Sequence, residues 1–267
     1  MAASNDITPR GIAPGLSPLG TWLAESLRVT AFPLPTLQPP TQPEWWSEIV
    51  GSPPEKQTVD RKSAQYLEEG EVQMGKLVLA VLPGRIDWSL VPPAAVGDKF
   101  PSVGSFLDSL AFFKELMLRW FEKAPQSWRL AFGAVLLLPV QDRRSGYEKL
   151  SLYLPSVQLD AKGSSEFSYQ INRPRPSRSG ISGLEINRLS KWSVSARQAW
   201  EIGPISPGGS PPLVRQTYPE PPTACRLELD INTTQVSPTE LQADKVIVVF
   251  KEVIELGIEI VLKGDVQ

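Results

Sequence analysis

The chain has 267 residues, with 27 Lys and Arg against 29 Asp and Glu, eight Trp, one Cys and no His. Without imidazole there is no Ser-His-Asp or Cys-His nucleophilic pair and no HExxH zinc site; with Cys225 as the only thiol there is no intramolecular disulfide and no paired-cysteine motif. A hydrophobic fraction of 41% predicts a folded chain, and a formal net charge of −2 gives no overall attraction to nucleic acid or anionic lipid.

In chain order, the Pro- and Gly-rich stretches 8–20, 33–43 and 203–222 predict loops, because proline removes a donor and fixes φ. Trp45-Trp46 follow Pro43-Glu44 in a short helix-like stretch, and adjacent indoles predict one packed inward and one covering a protein interface. Period-two patterns predict strands over 27–32, 65–73, 76–82 and 85–90, the middle pair joined as a hairpin near Met74-Gly75. In the last of these, Arg85 and Asp87 share one face, which predicts a cross-strand charge pair, and Ile86 and Trp88 share the other.

Phe106, Leu110, Phe113, Met117, Trp120 and Phe121 recur at helical spacing and predict a helix over 102–123, capped by Ser102 and ended by Pro125. Further strands are predicted over 128–140, 166–173, 184–199 and 224–232, with a short helix over 147–154. Ser237-Pro238-Thr239-Glu240 reads as the start of a closing helix, with Leu241, Val246, Val249, Val253, Leu256 and Ile260 as its buried stripe. Strands followed by a long helix thus occur twice. The fold class is α+β: antiparallel sheet covered on one side by two long helices, in one unit spanning 1–267 whose halves 1–125 and 126–267 suggest a pseudo-duplication.

The segment 171–200 is the most basic stretch. Arg173, Arg175, Arg178, Arg188, Lys191 and Arg197 are interleaved with Asn172, Asn187, Trp192 and Trp200 against a single acid, Glu185. Guanidinium groups bind phosphate or carboxylate bidentately and aromatic rings stack on bases, so this segment is a candidate binding surface for nucleic acid or an acidic partner. The alternative is a hairpin neutralised by acids elsewhere in the chain. Glu228 and Asp230 share one face of their strand, as two carboxylates sharing a metal or proton would. Asp160-Ala161-Lys162 matches half of a magnesium nuclease signature but lies in a polar turn. GxGxxG, GxxxxGK[ST] and GxSxG are all absent, and no cofactor or metal site is expected.

The apolar runs 130–140 and 246–254 fall short of the roughly 20 residues that cross a bilayer, and the first ten residues lack the pattern of a secretory leader. A cytoplasmic protein without membrane attachment is expected. The stretch from Leu77 through Asp87-Trp88, the helix over 102–123, and Leu229-Asp230-Ile231-Asn232 before a capped helix resemble a sporadically distributed, uncharacterised bacterial protein family of about this length. The resemblance implies a bacterial accessory protein. It transfers no catalytic residue, and the histidine of that family's last helix region is absent here. The residues together predict a non-catalytic protein-binding subunit of a larger assembly, with a nucleic-acid-binding subunit using 171–200 as the alternative.

Overall fold

The computed structural model describes residues 15–34, 43–93, 100–197, 200–202, 214–216, 221–234, 241 and 243–265. Its strands are β1 (Leu23–Pro33), β2 (Lys56–Asp60), β3 (Gln65–Val72), β4 (Gly75–Leu82), β5 (Arg85–Val91), β6 (Ser127–Val140), β7 (Ser168–Asn172), β8 (Arg175–Pro176), β9 (Glu185–Ala196), β10 (Trp200–Ile202), β11 (Val214–Gln216) and β12 (Thr223–Thr233). The helices are α1 (Trp45–Val50), α2 (Phe106–Phe121), α3 (Arg143–Tyr153) and α4 (Ala243–Lys263). Ten strands form one antiparallel sheet in the order β2-β3-β4-β5-β1-β6-β12-β9-β7, with β8 also on β9, while β10 and β11 pair separately. The fold is α+β.

The element order repeats. In each half a first strand is followed by a short helix and an antiparallel meander, whose last strand returns beside the first; a long helix closes the half. Thus β5 lies beside β1 and β12 beside β6, and the two first strands pair with each other at the centre of the sheet.

Alternation along the strands separates two faces. Leu27, Val29, Trp88, Leu90, Phe132, Leu227 and Ile231 point to the helix side and are essentially inaccessible. The four described α-helices pack on that side. Trp46 of α1 stacks on Trp88 at 6.1 Å, Trp120 of α2 meets Trp88 at 6.1 Å, and Cys225 of β12 donates to the Gly146 carbonyl of α3 at 3.3 Å. Gly257 of α4 lies over Phe132, where a Cβ would come within 3.3 Å of the ring. A second aromatic group joins Trp22, Tyr153 and Trp192, with ring centroids 5.4 to 6.4 Å apart. Offset and edge-on rings of this kind add to the large apolar area that each indole buries.

The tertiary structure corrects several boundaries. β1 begins four residues before the predicted strand, because a bulge between Ala24 and Ser26 interrupts the period of two. β2 has five exposed residues and therefore no alternation to read. The cap of α2 is Ser105, not Ser102: its hydroxyl accepts from the Asp108 N–H at 3.2 Å. α3 begins at Arg143, where Asp142 caps the Ser145 N–H at 2.7 Å ahead of any apolar pattern. The predicted start Ser237-Pro238-Thr239-Glu240 lies outside the described residues, as do 8–14, 35–42 and most of 203–222. The stripe from Leu241 to Ile260 is buried as the spacing requires.

Candidate functional site

The part of the basic segment that lies on β9 is divided between the two faces of the sheet, because strand residues alternate. Arg188, Ser190 and Trp192 face the helices; Asn187, Leu189 and Lys191 face the other way. Trp192 is fully buried, its indole N–H donating to Ser190 Oγ at 3.1 Å, so it offers no ring for stacking on a base.

Most of the arginines meet carboxylates of the closing helix region. Arg173 pairs with Asp265 through Nε at 2.5 Å and Nη2 at 3.1 Å, and Arg175 pairs with Glu259 at 2.8 Å. Arg178 reaches Glu252 at 3.3 Å and Glu255 at 2.8 Å. Arg188, only 3% exposed, lies 3.6 Å from Glu259. Desolvation and the neighbouring Arg175 lower its affinity for the proton, while the Arg173 hydrogen bonds hold the Asp265 carboxyl below its usual range. Lys191 lies 3.5 Å from Glu228, and the Arg197 N–H donates to the Pro222 carbonyl at 2.9 Å. The sequence reading missed the acids that complete this seam; Glu252, Glu255 and Glu259 stand three and four residues apart, a spacing that puts them on one helix stripe but does not name their partners.

Trp45 and Trp46 are both buried, at 7% and 1% exposure, which removes them as interface anchors. The reason is that α1 is held between the sheet and α2, so Trp45 packs edge-on against Trp120 while Trp46 packs on Trp88. Arg85 and Asp87 do pair, at 2.7 Å, but along one strand; the cross-strand partner of Asp87 is the Thr30 hydroxyl at 2.5 Å.

The face away from the helices carries a depression of about 440 Å³ over β5, β1, β6, β12 and β9. Its lining includes Ser89, Arg28, Gly133, Glu228, Asp230 and Lys191. Arg28, Gly133 and Asp230 lie in one cross-strand row. Glycine at 133 leaves the floor open: the Arg28 side chain lies across it, with Nε 3.7 Å from where a Cβ would stand. Arg28 is exposed and has no hydrogen-bond or ion-pair partner among the described residues. An amide ladder supports one wall. Asn172 donates to Asn187 at 2.9 Å, Asn187 to Asn232 at 3.1 Å, and Asn232 to Asp230 at 3.1 Å.

Glu228 and Asp230 share this face as expected, but each has its own partners. Glu228 accepts from Arg226 at 3.2 Å, and Asp230 is held by Asn232. Asp160 is not with them. It closes an exposed turn, where Oδ1 accepts from the Lys162 N–H at 2.9 Å and backbone hydrogen bonds lower its pKa. No group of three or more Cys, Asp or Glu able to hold a metal occurs among the described residues. Burial pushes the Cys225 thiol up to about 12, which leaves it protonated and a poor nucleophile. No described helix is long and apolar enough to cross a membrane. Comparisons with family models, curated proteins and solved structures give no match, so the functional reading rests on this chain's own residues.

Proposed function

We propose that this chain is a non-catalytic, cytoplasmic protein-binding subunit of a larger bacterial assembly, working without a cofactor and docking its partner on the helix-free face of the sheet. The observation that supports this reading is Arg28, a cation unpaired among the described residues and lying over Gly133 in a concave depression. A partner carboxylate placed there gains a charge-assisted, bidentate contact without displacing a bond to any described residue. The mixed charge of the rim, with Lys191 and Glu228 on one side, favours one orientation of that partner over others. The nucleic-acid alternative draws on Arg173, Arg175, Arg178 and Arg188, and phosphate would have to compete there with the carboxylates of the seam.

The test is affinity isolation from a native lysate with the full chain and with Arg28→Glu, at low and high salt. The expected result is a stoichiometric protein retained by the unmodified chain at both salts and lost with Arg28→Glu. Co-isolated nucleic acid that disappears at high salt, or a protein retained equally by both chains, would overturn the proposal.

A further inference from the structure

The edge strand β2 carries a charge pattern that matches itself in reverse. Glu55-Lys56-Gln57-Thr58-Val59-Asp60-Arg61 reads acid, base, three neutral residues, acid, base. If two copies of this segment are laid antiparallel about a two-fold axis through Thr58, residue 56 stands opposite residue 60 and residue 55 opposite residue 61. Every facing pair of charges is then of opposite sign: Lys56 with Asp60 and Glu55 with Arg61, each twice. A two-fold interface requires such self-complementarity.

The structure makes this segment available. β2 ends the sheet, and its outer edge has no strand against it among the described residues. All five strand residues are exposed, including Val59 at 42%, one of the few large apolar side chains left to solvent. Glu55 and Arg61 have no ion-pair or hydrogen-bond partner among the described residues. Lys56 reaches Glu69 at 3.3 Å, but Glu69 already holds Lys76 at 2.8 Å and stays paired if Lys56 turns outward. Asp60 is held in place by the Lys62 N–H at 2.9 Å.

We infer that a second copy of this chain pairs with β2, joining two sheets edge to edge in the register centred on Thr58. Backbone groups left open on an edge strand supply the hydrogen bonds. The facing charges select the antiparallel register, and Gln57 of each copy covers Val59 of the other. This contact uses the edge of the sheet and leaves the Arg28 depression free, so it stands or falls independently of the docking reading.

Sedimentation equilibrium of the full chain tests it. The unmodified protein is expected to dimerise. Lys56→Asp and Asp60→Lys each place two pairs of like charges in the homodimer and weaken it by at least about tenfold. A mixture of these two variants restores opposite charges at those positions and is expected to form a heterodimer, which a folding lesion would not produce. Thr58→Cys should cross-link to a covalent dimer under mild oxidation, since the two residues face each other at the axis and Cys225 is buried. An unmodified chain that stays monomeric, single variants that dimerise as well as the parent, or a mixture that does not associate would each overturn the inference. If either charge variant fails to fold, the Thr58→Cys cross-link decides: its absence rejects the inference.

Discussion

Asp265 ties the end of α4 to the sheet, and its loss has a calculable cost. The carboxylate is 2% exposed and accepts from Arg173 through two nitrogens, from the Tyr169 hydroxyl at 2.9 Å and from Ser156 at 3.4 Å. Asp265→Asn keeps the shape, removes the charge and turns an amide donor toward donors. Removing one partner of a buried pair costs about 3–5 kcal/mol when the other is left dry. Arg173 keeps 26% of its side chain exposed and can rehydrate, so the expected loss falls to about 2–3 kcal/mol at pH 7. The Arg173 hydrogen bonds, ahead of burial, which acts in the opposite direction, lower the Asp265 pKa in the folded state. The contribution is therefore present above the unfolded carboxyl pKa and is lost as pH falls through the folded value. Urea unfolding of both chains should show the gap narrowing as pH falls from 7 through the folded carboxyl pKa, which lies below the unfolded one. A gap below about 0.5 kcal/mol at pH 7, or one that stays constant with pH, would refute the assignment of Asp265 as the anchor of this seam.

Two further predictions follow from buried groups outside the seam. Glu68 is 4% exposed, with Oε2 unpartnered among the described residues, and desolvation raises its pKa against the hydrogen bonds from Tyr66 and Gln57. Its protonated form favours the folded state, so the stabilisation present at low pH is lost as pH rises through the folded pKa. Glu68→Gln should stabilise the chain by about 1 kcal/mol at pH 7 and make no difference well below the unfolded pKa; destabilisation at pH 7 in urea titrations would contradict this. Cys225 should not react with Ellman's reagent at pH 8 while the chain is folded, and should yield one thiol equivalent on unfolding, because its thiol is pushed up to about 12 and Sγ donates to Gly146. Rapid labelling of the native protein would contradict this.

The class of architecture is written in local residue patterns. Helical spacing from Phe106 to Phe121 and from Leu241 to Ile260, and alternation in β4, β5, β6 and β12, are each imposed by one buried face. These signals are local, because a half-buried element must repeat with its own geometry. Missing histidine and paired cysteine likewise excluded whole chemistries without any coordinates. Where burial was absent or interrupted the signal failed: β2 is exposed on both faces, and the bulge in β1 breaks its period.

Which charges meet and which rings are covered depends on contacts between segments far apart in the chain. Arg173 and Asp265 are 92 residues apart in the chain, and Arg175 and Glu259 are 84 apart, so nothing local announces that the basic segment is neutralised by the last helix. Of Trp45 and Trp46 one was expected inside and one at an interface, and Trp192 was a candidate stacking ring; all three are core, because α1 is enclosed between the sheet and α2 while β9 turns Trp192 toward the helices. The same topology brings Arg28 on β1, Gly133 on β6 and Asp230 on β12 into one row. Strand order is set by long-range pairing, and that pairing distinguishes an arginine in a depression, unpaired among the described residues, from one spent on a salt bridge.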